Sequence, residues 1–231
     1  DGPQVQSARL LADGTLHRAV EAGAAVLAVC AGYQVVGRSF PDAQGTIRSG
    51  VGLLDVATVK GRSKRAVGEL LAEPIDLSGP PGSSGAGPHG TGLGDISIDG
   101  SGLARGPRLE RLTGFENHGG VTRLGTGVRP LARVLTGIGN GMGDRTEGAV
   151  SGRIIGTYMH GPVLARNPLL ADLLLTMVTG VYLAPLDDSE EGALHAERLA
   201  ASRIGGRRGD LARGVTGTGR ALRHLVKLRR A

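Results

Sequence analysis

The sequence predicts an α/β domain built around a parallel sheet, and three observations carry that prediction. Residues 7–23 place Leu10, Leu11, Leu16 and Val20 at helical spacing and stop at Gly23, a residue suited to the turn that ends a helix. Ala24 to Val29 is then a short continuous apolar run, the pattern of a strand buried on both faces. The small residues Cys30-Ala31-Gly32 follow, and a second amphipathic stretch runs to about Arg38. Helix, buried strand, tight turn and helix in succession is the rhythm of parallel α/β architecture.

The elements beyond Arg38 are shorter. Strand-like runs fall at Leu53 to Val59, Arg65 to Ala72, Leu131 to Leu135 and Arg153 to Met159, each bounded by Gly, Pro or Asp. Residues 79–95 hold seven Gly and three Pro, the composition of a flexible surface insertion rather than a core element. Pro168 to Val181 reads as a buried helix with Asn167 as its N-cap, and Glu190 to Ile204 as an exposed one. The expected organisation is one domain over residues 1–204 followed by a basic C-terminal tail, 205–231.

Composition removes several function classes. A single cysteine among 231 residues excludes a disulfide scaffold. With 40% hydrophobic residues the chain is too apolar to be disordered throughout, and its apolar runs fall short of the roughly 18 residues of a membrane helix. No charged and then apolar leader pattern opens the sequence, so the expectation is a soluble, intracellular protein. Aromatic residues are 2%, which leaves little for stacking on nucleobases. The net charge of +6 is not a property of the domain. Residues 198–231 carry ten Lys/Arg against Asp210 alone, +9, while residues 1–197 carry seventeen against twenty, −3.

Chemistry concentrates at Cys30. A nucleophile at a strand-to-helix turn is exposed at the carboxyl end of the sheet, and the turn needs small neighbours, which Ala28, Ala31 and Gly32 supply. The helix that starts there is expected to lower the thiol pKa. Taken alone, a small core hydrophobe is an equally good reading of this residue. A Cys nucleophile needs a His base, and the six His residues are quickly screened. His17, His89, His195 and His224 read as solvated surface residues. His160 closes the run R-I-I-G-T-Y-M-H, and Gly161-Pro162 leave it at the strand tip. His118, in G-F-E-N-H-G-G, stands at a strand end among glycines, where shaping the backbone is as good a reading as catalysis.

Three segments in order, C-A-G-Y-Q-V-V-G, G-F-E-N-H-G-G and G-T-Y-M-H-G-P-V-L-A-R-N-P, resemble the class I glutamine amidotransferases of the cobyric-acid-synthase (CobB/CobQ-like) type, and within them the GatD-type glutaminase subunits of lipid II isoglutaminyl synthase. The resemblance spans Asp1 to about Arg203 and includes I-G-N-G-M-G-D-R-T-E-G. It implies a flavodoxin-like fold, Cys30 as the nucleophile on the glutamine side-chain amide, and His160 as the base that activates it and protonates departing ammonia. It also implies that Gln34 holds the polar end of the substrate, its other reading being a helix-surface amide. Arg65 falls where the family grips the glutamine α-carboxylate, with Lys64 and Arg62 as neighbouring alternatives.

Departures from the family pattern are specific. Ala28 replaces the Gly usual two residues before the nucleophile. Pro162 occupies the position where most class I enzymes carry the acid of the triad; GatD-like chains share this absence, and a partner carboxylate, or Glu116 within the chain, is the substitute. The family's first strand and an oxyanion-hole glycine turn would lie upstream of Asp1, leaving only Asp1-Gly2-Pro3-Gln4 here.

The resemblance implies a Mur-ligase-like partner, MurT, in a heterodimer that amidates the D-glutamate α-carboxyl of lipid II in peptidoglycan synthesis. ATP and metal belong to that ligase, since this chain has neither a G-x-x-x-x-G-K-[ST] loop nor a cysteine-rich zinc site. It implies a cytoplasmic location, with the tail run R-A-L-R-H-L-V-K-L-R-R suited to weak contact with the inner membrane face. The alternatives are glutaminase chemistry feeding a corrinoid amidase, or a non-catalytic binding module whose basic tail is the working part.

Overall fold

The computed structural model of the chain describes residues 2–62, 64–75, 109–181 and 183–202. The insertion at 79–95, the tail at 205–231, His89 and His224 lie outside them.

The amphipathic start is two helices rather than one over 7–23: α1 (Pro3–Leu10) and α2 (Thr15–Glu21), joined by a 3-10 turn, Leu11–Asp13. Gly14 makes the break at φ 78°, which costs a glycine nothing. The Asp13 carboxylate then accepts from the Thr15 amide at 2.8 Å and its hydroxyl at 2.7 Å, starting α2 afresh. β1 (Val26–Val29) and α3 (Ala31–Val36) follow as expected.

The next elements form two mainly antiparallel sheets. β2 (Ser39–Pro41), β3 (Ile47–Ser49), β4 (Val56–Lys60) and β7 (Gly120–Leu124) make one, in the order β3-β2-β4-β7. β5 (Ala66–Pro74), β6 (Leu112–His118), β8 (Ala132–Thr136) and β9 (Thr146–Glu147) make the other, in the order β6-β5-β8-β9. β10 (Ala149–Ser151) and β11 (Ile154–Thr157) join β1 in a third, in the order β1-β11-β10. Helices α4 (Val163–Arg166), α5 (Pro168–Thr179) and α6 (189–202) complete the described chain. The fold is mixed α/β. Among the described residues, parallel pairing is confined to β1 with β11 and a single position between β2 and β4. Short, turn-rich links such as those around β9, β10 and β11 permit hairpins but no crossover helix, so these strands run antiparallel.

β11 is the centre of the molecule. Ile154 and Tyr158 face one core cluster with Ala28, Tyr33, Leu54 and Val56. Ile155 and Met159 face the other, with Leu70, Leu112, Leu131, Leu170 and Leu173. This is burial on both faces, and it explains the apolar run in the sequence. Gly156 lies where a Cβ would stand 2.1 Å from the Tyr33 ring, so only glycine lets α3 pack so closely.

Three side-chain readings need correction. Asn167 occupies the N-cap position of α5 but does not cap it. Its amide instead accepts from the Thr113 amide at 2.8 Å and donates to the Thr113 and Val163 carbonyls at 2.8 and 2.7 Å. Those β6 groups would otherwise be buried without partners. His195 is buried rather than solvated, with Nδ1 2.6 Å from the Arg166 carbonyl. His17 is half-buried.

Candidate active site

The parallel pairing of β1 and β11 sets Val29 opposite Thr157, so Cys30 and the residues leading to His160 leave the same carboxyl end. The Cys30 amide donates to the Thr157 carbonyl at 2.8 Å. Cys30 then turns at φ 52°, ψ −106°, outside the regions a side-chain-bearing residue prefers. A strained residue at the tip of a strand points its side chain out of the sheet, as a nucleophile elbow does.

The thiol is half-buried on the wall of a cavity of about 400 Å³, which Gln34, Lys60, Arg65, Asn117 and His118 also line. Sγ lies 3.9 Å from the Asn117 carbonyl oxygen. Arg65 donates to the same oxygen at 2.8 Å, and its Nε to the Asn117 side-chain oxygen at 2.5 Å. The guanidinium is thus fixed beside the sulfur. The thiol pKa is nevertheless raised, contrary to the expectation from the helix start: burial outweighs the Ala31 amide and Arg65, which lower it, and Glu147 raises it further.

Gln34 is buried rather than on a helix surface. Its side-chain amide donates to the Tyr158 hydroxyl at 3.1 Å and accepts from Gln4 at 2.8 Å. The Tyr158 hydroxyl continues to Thr122 at 2.7 Å, and Thr122 to Thr58 at 2.8 Å. This chain of hydrogen bonds stiffens one cavity wall.

His160 is not among the residues lining the cavity; it lies three residues past the end of β11, in an isolated bridge to Phe115 of β6. Its backbone amide and carbonyl both pair with Phe115 at 3.0 Å, and its ring meets the Phe115 ring edge-on at 5.9 Å. The Phe115 amide and carbonyl and, two residues on, the Asn117 carbonyl point to the same edge of β6, which brings His160 and the Asn117 contact of Cys30 to one side of that strand. Burial, and then the positive fields of His118 and Arg65, lower the His160 pKa. Its Nε2 is enclosed and makes no hydrogen bond among the described residues. A neutral imidazole with a free lone pair is the form a base requires.

His118 is buried, stacked on the Tyr158 ring at 3.7 Å. Its Nδ1 lies 3.0 Å from the Gly120 carbonyl, which can only accept, so this nitrogen carries the proton. Glu116 accepts from the Ile138 and Gly139 amides at 2.8 and 2.9 Å and faces His118 at 3.6 Å. Its carboxylate is committed there, and it makes no hydrogen bond to His160 among the described residues. Lys60, Asn117 and Glu147 were invisible to sequence reasoning. The signals were present only for the last two, inside the quoted G-F-E-N-H-G-G and I-G-N-G-M-G-D-R-T-E-G segments. Among the described residues no cluster of His, Cys, Asp and Glu could hold a metal ion, and no helix is long and apolar enough to cross a membrane.

The subunit GatD of Staphylococcus aureus lipid II isoglutaminyl synthase (glutamine-hydrolyzing) is 29% identical over 81% of this chain. Cobyric acid synthase of Pelotomaculum thermopropionicum is 34% identical over 69% of it. The match spans 64% of the first relative's length and 27% of the second's. A solved glutamine amidotransferase aligns over 77% of this chain and 75% of its own at 20% identity and a TM-score of 0.46. Residues 5–168 match the CobB/CobQ-like glutamine amidotransferase domain, and the chain belongs to that family.

Proposed function

We propose that this chain is a glutaminase subunit that hydrolyses L-glutamine and delivers the ammonia to a MurT-like ligase, which amidates the D-glutamate α-carboxyl of lipid II. The observation that carries the reading is the strained Cys30 elbow opening into the cavity that holds Arg65. Arg65 grips the α-carboxylate of glutamine, and Lys60 adds a second cation to the same wall.

In the first step His160 takes the thiol proton and Sγ attacks the side-chain amide carbon. The negative charge that forms on oxygen is met by the Ala31 amide, next to the sulfur. Collapse of the adduct breaks the C–N bond as His160 returns the proton to nitrogen, releasing ammonia and leaving a γ-glutamyl thioester. Water, deprotonated by His160, then attacks the thioester and frees glutamate. Pro162 stands where the acid of the triad would be, and among the described residues no carboxylate is bonded to His160, so in this reading an acidic residue of the ligase completes the triad and limits hydrolysis to the assembled complex. ATP and its metal ion act on the ligase, where the acceptor carboxyl is activated. Similarity to GatD supports this acceptor over a corrinoid.

The test is ammonia release and lipid II amidation by the chain mixed with a MurT-like partner, for the native protein and for Cys30→Ala. Glutamine-dependent amidation that Cys30→Ala abolishes and free ammonia restores is the expected result. Amidation by Cys30→Ala at the native rate with glutamine would overturn the reading.

A further inference from the structure

The loop that leads to Glu147 has no part in the mechanism above, yet several of its groups are hydrogen-bonded to the interior. Asn140 is fully buried and donates to the Thr146 hydroxyl at 3.1 Å and the Gly148 carbonyl at 2.9 Å. Arg145, held at φ 60°, donates to the Val134 and Leu135 carbonyls, both at 3.0 Å. These contacts fix Glu147, itself fully buried, against the end of β11.

We propose that Glu147 is a positioning residue whose carboxyl group holds the end of β11, and with it the Cys30 elbow, and whose charge is coupled to that of the Cys30 thiol. Its Oε1 accepts from the Thr157 hydroxyl at 2.6 Å and the Tyr158 amide at 2.8 Å. The Thr157 hydroxyl oxygen accepts from the Met159 amide at 3.0 Å, and the Thr157 carbonyl accepts from the Cys30 amide at 2.8 Å. One carboxyl group therefore orders the three residues before His160 and the backbone of Cys30.

Its second oxygen, Oε2, is enclosed without a hydrogen-bond partner among the described residues. An anion there lacks solvation, and burial pushes the Glu147 pKa up to about 7. The groups whose charge interacts with that of Glu147 are Glu116 and His118 on β6, Tyr33 on α3, Tyr158 and Cys30. Glu116 raises its pKa; Thr157, the Tyr158 amide and His118 lower it. Ionised Glu147 in turn opposes the thiolate, whereas Arg65 favours it. The two anions compete, so the thiol is most readily ionised while Glu147 keeps its proton.

The inference takes from the proposed function that Cys30 is the nucleophile. Its test reads the thiol directly and needs no turnover, so loss of that assignment would leave the result standing. Cys30 is the single cysteine, and iodoacetamide labelling of the full chain reports on it alone. In the native protein the logarithm of the labelling rate should rise with pH at less than unit slope between about pH 6 and 8, as Glu147 ionises. Glu147→Gln keeps the Oε1 acceptor and removes the charge. It should restore unit slope, match the native rate near pH 6 and exceed it about threefold at pH 8. Superimposable profiles overturn the proposal. Should Glu147→Gln not fold, the native curve decides by itself, and unit slope across that range overturns the proposal.

Discussion

Replacing Cys30 by glycine should leave the protein more stable than replacing it by alanine, the reverse of the usual order. Both variants remove the sulfur and differ by one methyl group. At φ 52°, ψ −106° a Cβ clashes with its own backbone, and a residue held in such a region costs about 1–3 kcal/mol. Glycine escapes that cost but gives up about 0.5–1 kcal/mol through the greater freedom of its unfolded chain. The balance favours glycine by up to about 2.5 kcal/mol. Urea unfolding of the two variants at one pH measures it, and thermal midpoints should differ by about 2–4 °C per kcal/mol for a chain of this size. Ala31→Gly, one residue on at the start of α3, serves as the control and should cost up to about 1 kcal/mol. If Cys30→Gly is the less stable of the pair, the elbow is not strained and the proposed function loses the observation that carries it.

Other outcomes follow from the same contacts. Arg65→Ala should raise the KM for glutamine at least tenfold with a smaller change in kcat, because a grip on the α-carboxylate is made in ground and transition states alike; steady-state ammonia release checks it. Glu147 binds its proton more tightly in the folded chain than its ordinary value of 4.5 allows in the unfolded one. Between about pH 4.5 and 7 the folded state thus holds the extra proton, and stability falls as pH rises, by about 3 kcal/mol in all. Urea midpoints at pH 5 and pH 8 should show this fall in the native chain and much less of it in Glu147→Gln. Gly156→Ala would press a methyl group to 2.1 Å from the Tyr33 ring and should cost more than about 2 kcal/mol, read as a lower unfolding midpoint.

What the sequence disclosed depends on how local each signal is. The Cys30 elbow was legible because its cause is local: an apolar run, then three small residues. The place of His160 just past β11 was legible, although the strand ends at Thr157, earlier than the sequence run ending at Met159, and Gly161, at φ 64°, follows His160 directly. The single helix expected over 7–23 failed at Asp13-Gly14, where a side-chain turn competes with the helical period. His195 was misread because α6 carries Glu190, Glu191, Glu197 and Arg198 around a narrow buried seam of His195 and Ser202, seven residues apart. Asn117 and Glu147 lay beyond local reasoning altogether. Their roles come from pairing with distant segments: Asn117 meets Arg65 across β5 and β6, and Glu147 meets Thr157 across the turn through β10. A charged residue in a glycine-rich loop gives no hint that the fold will close over it.

The most direct measurement is of the covalent intermediate. The chain, mixed with a MurT-like ligase, would be quenched in acid during turnover of glutamine, digested, and mapped by mass spectrometry. The account predicts one γ-glutamyl group on the peptide containing Cys30, absent from Cys30→Ala and strongly reduced in His160→Ala, which lacks the base that takes the thiol proton. Glutamine hydrolysed at the native rate with no adduct on Cys30, or with Cys30→Ala still active, would contradict it.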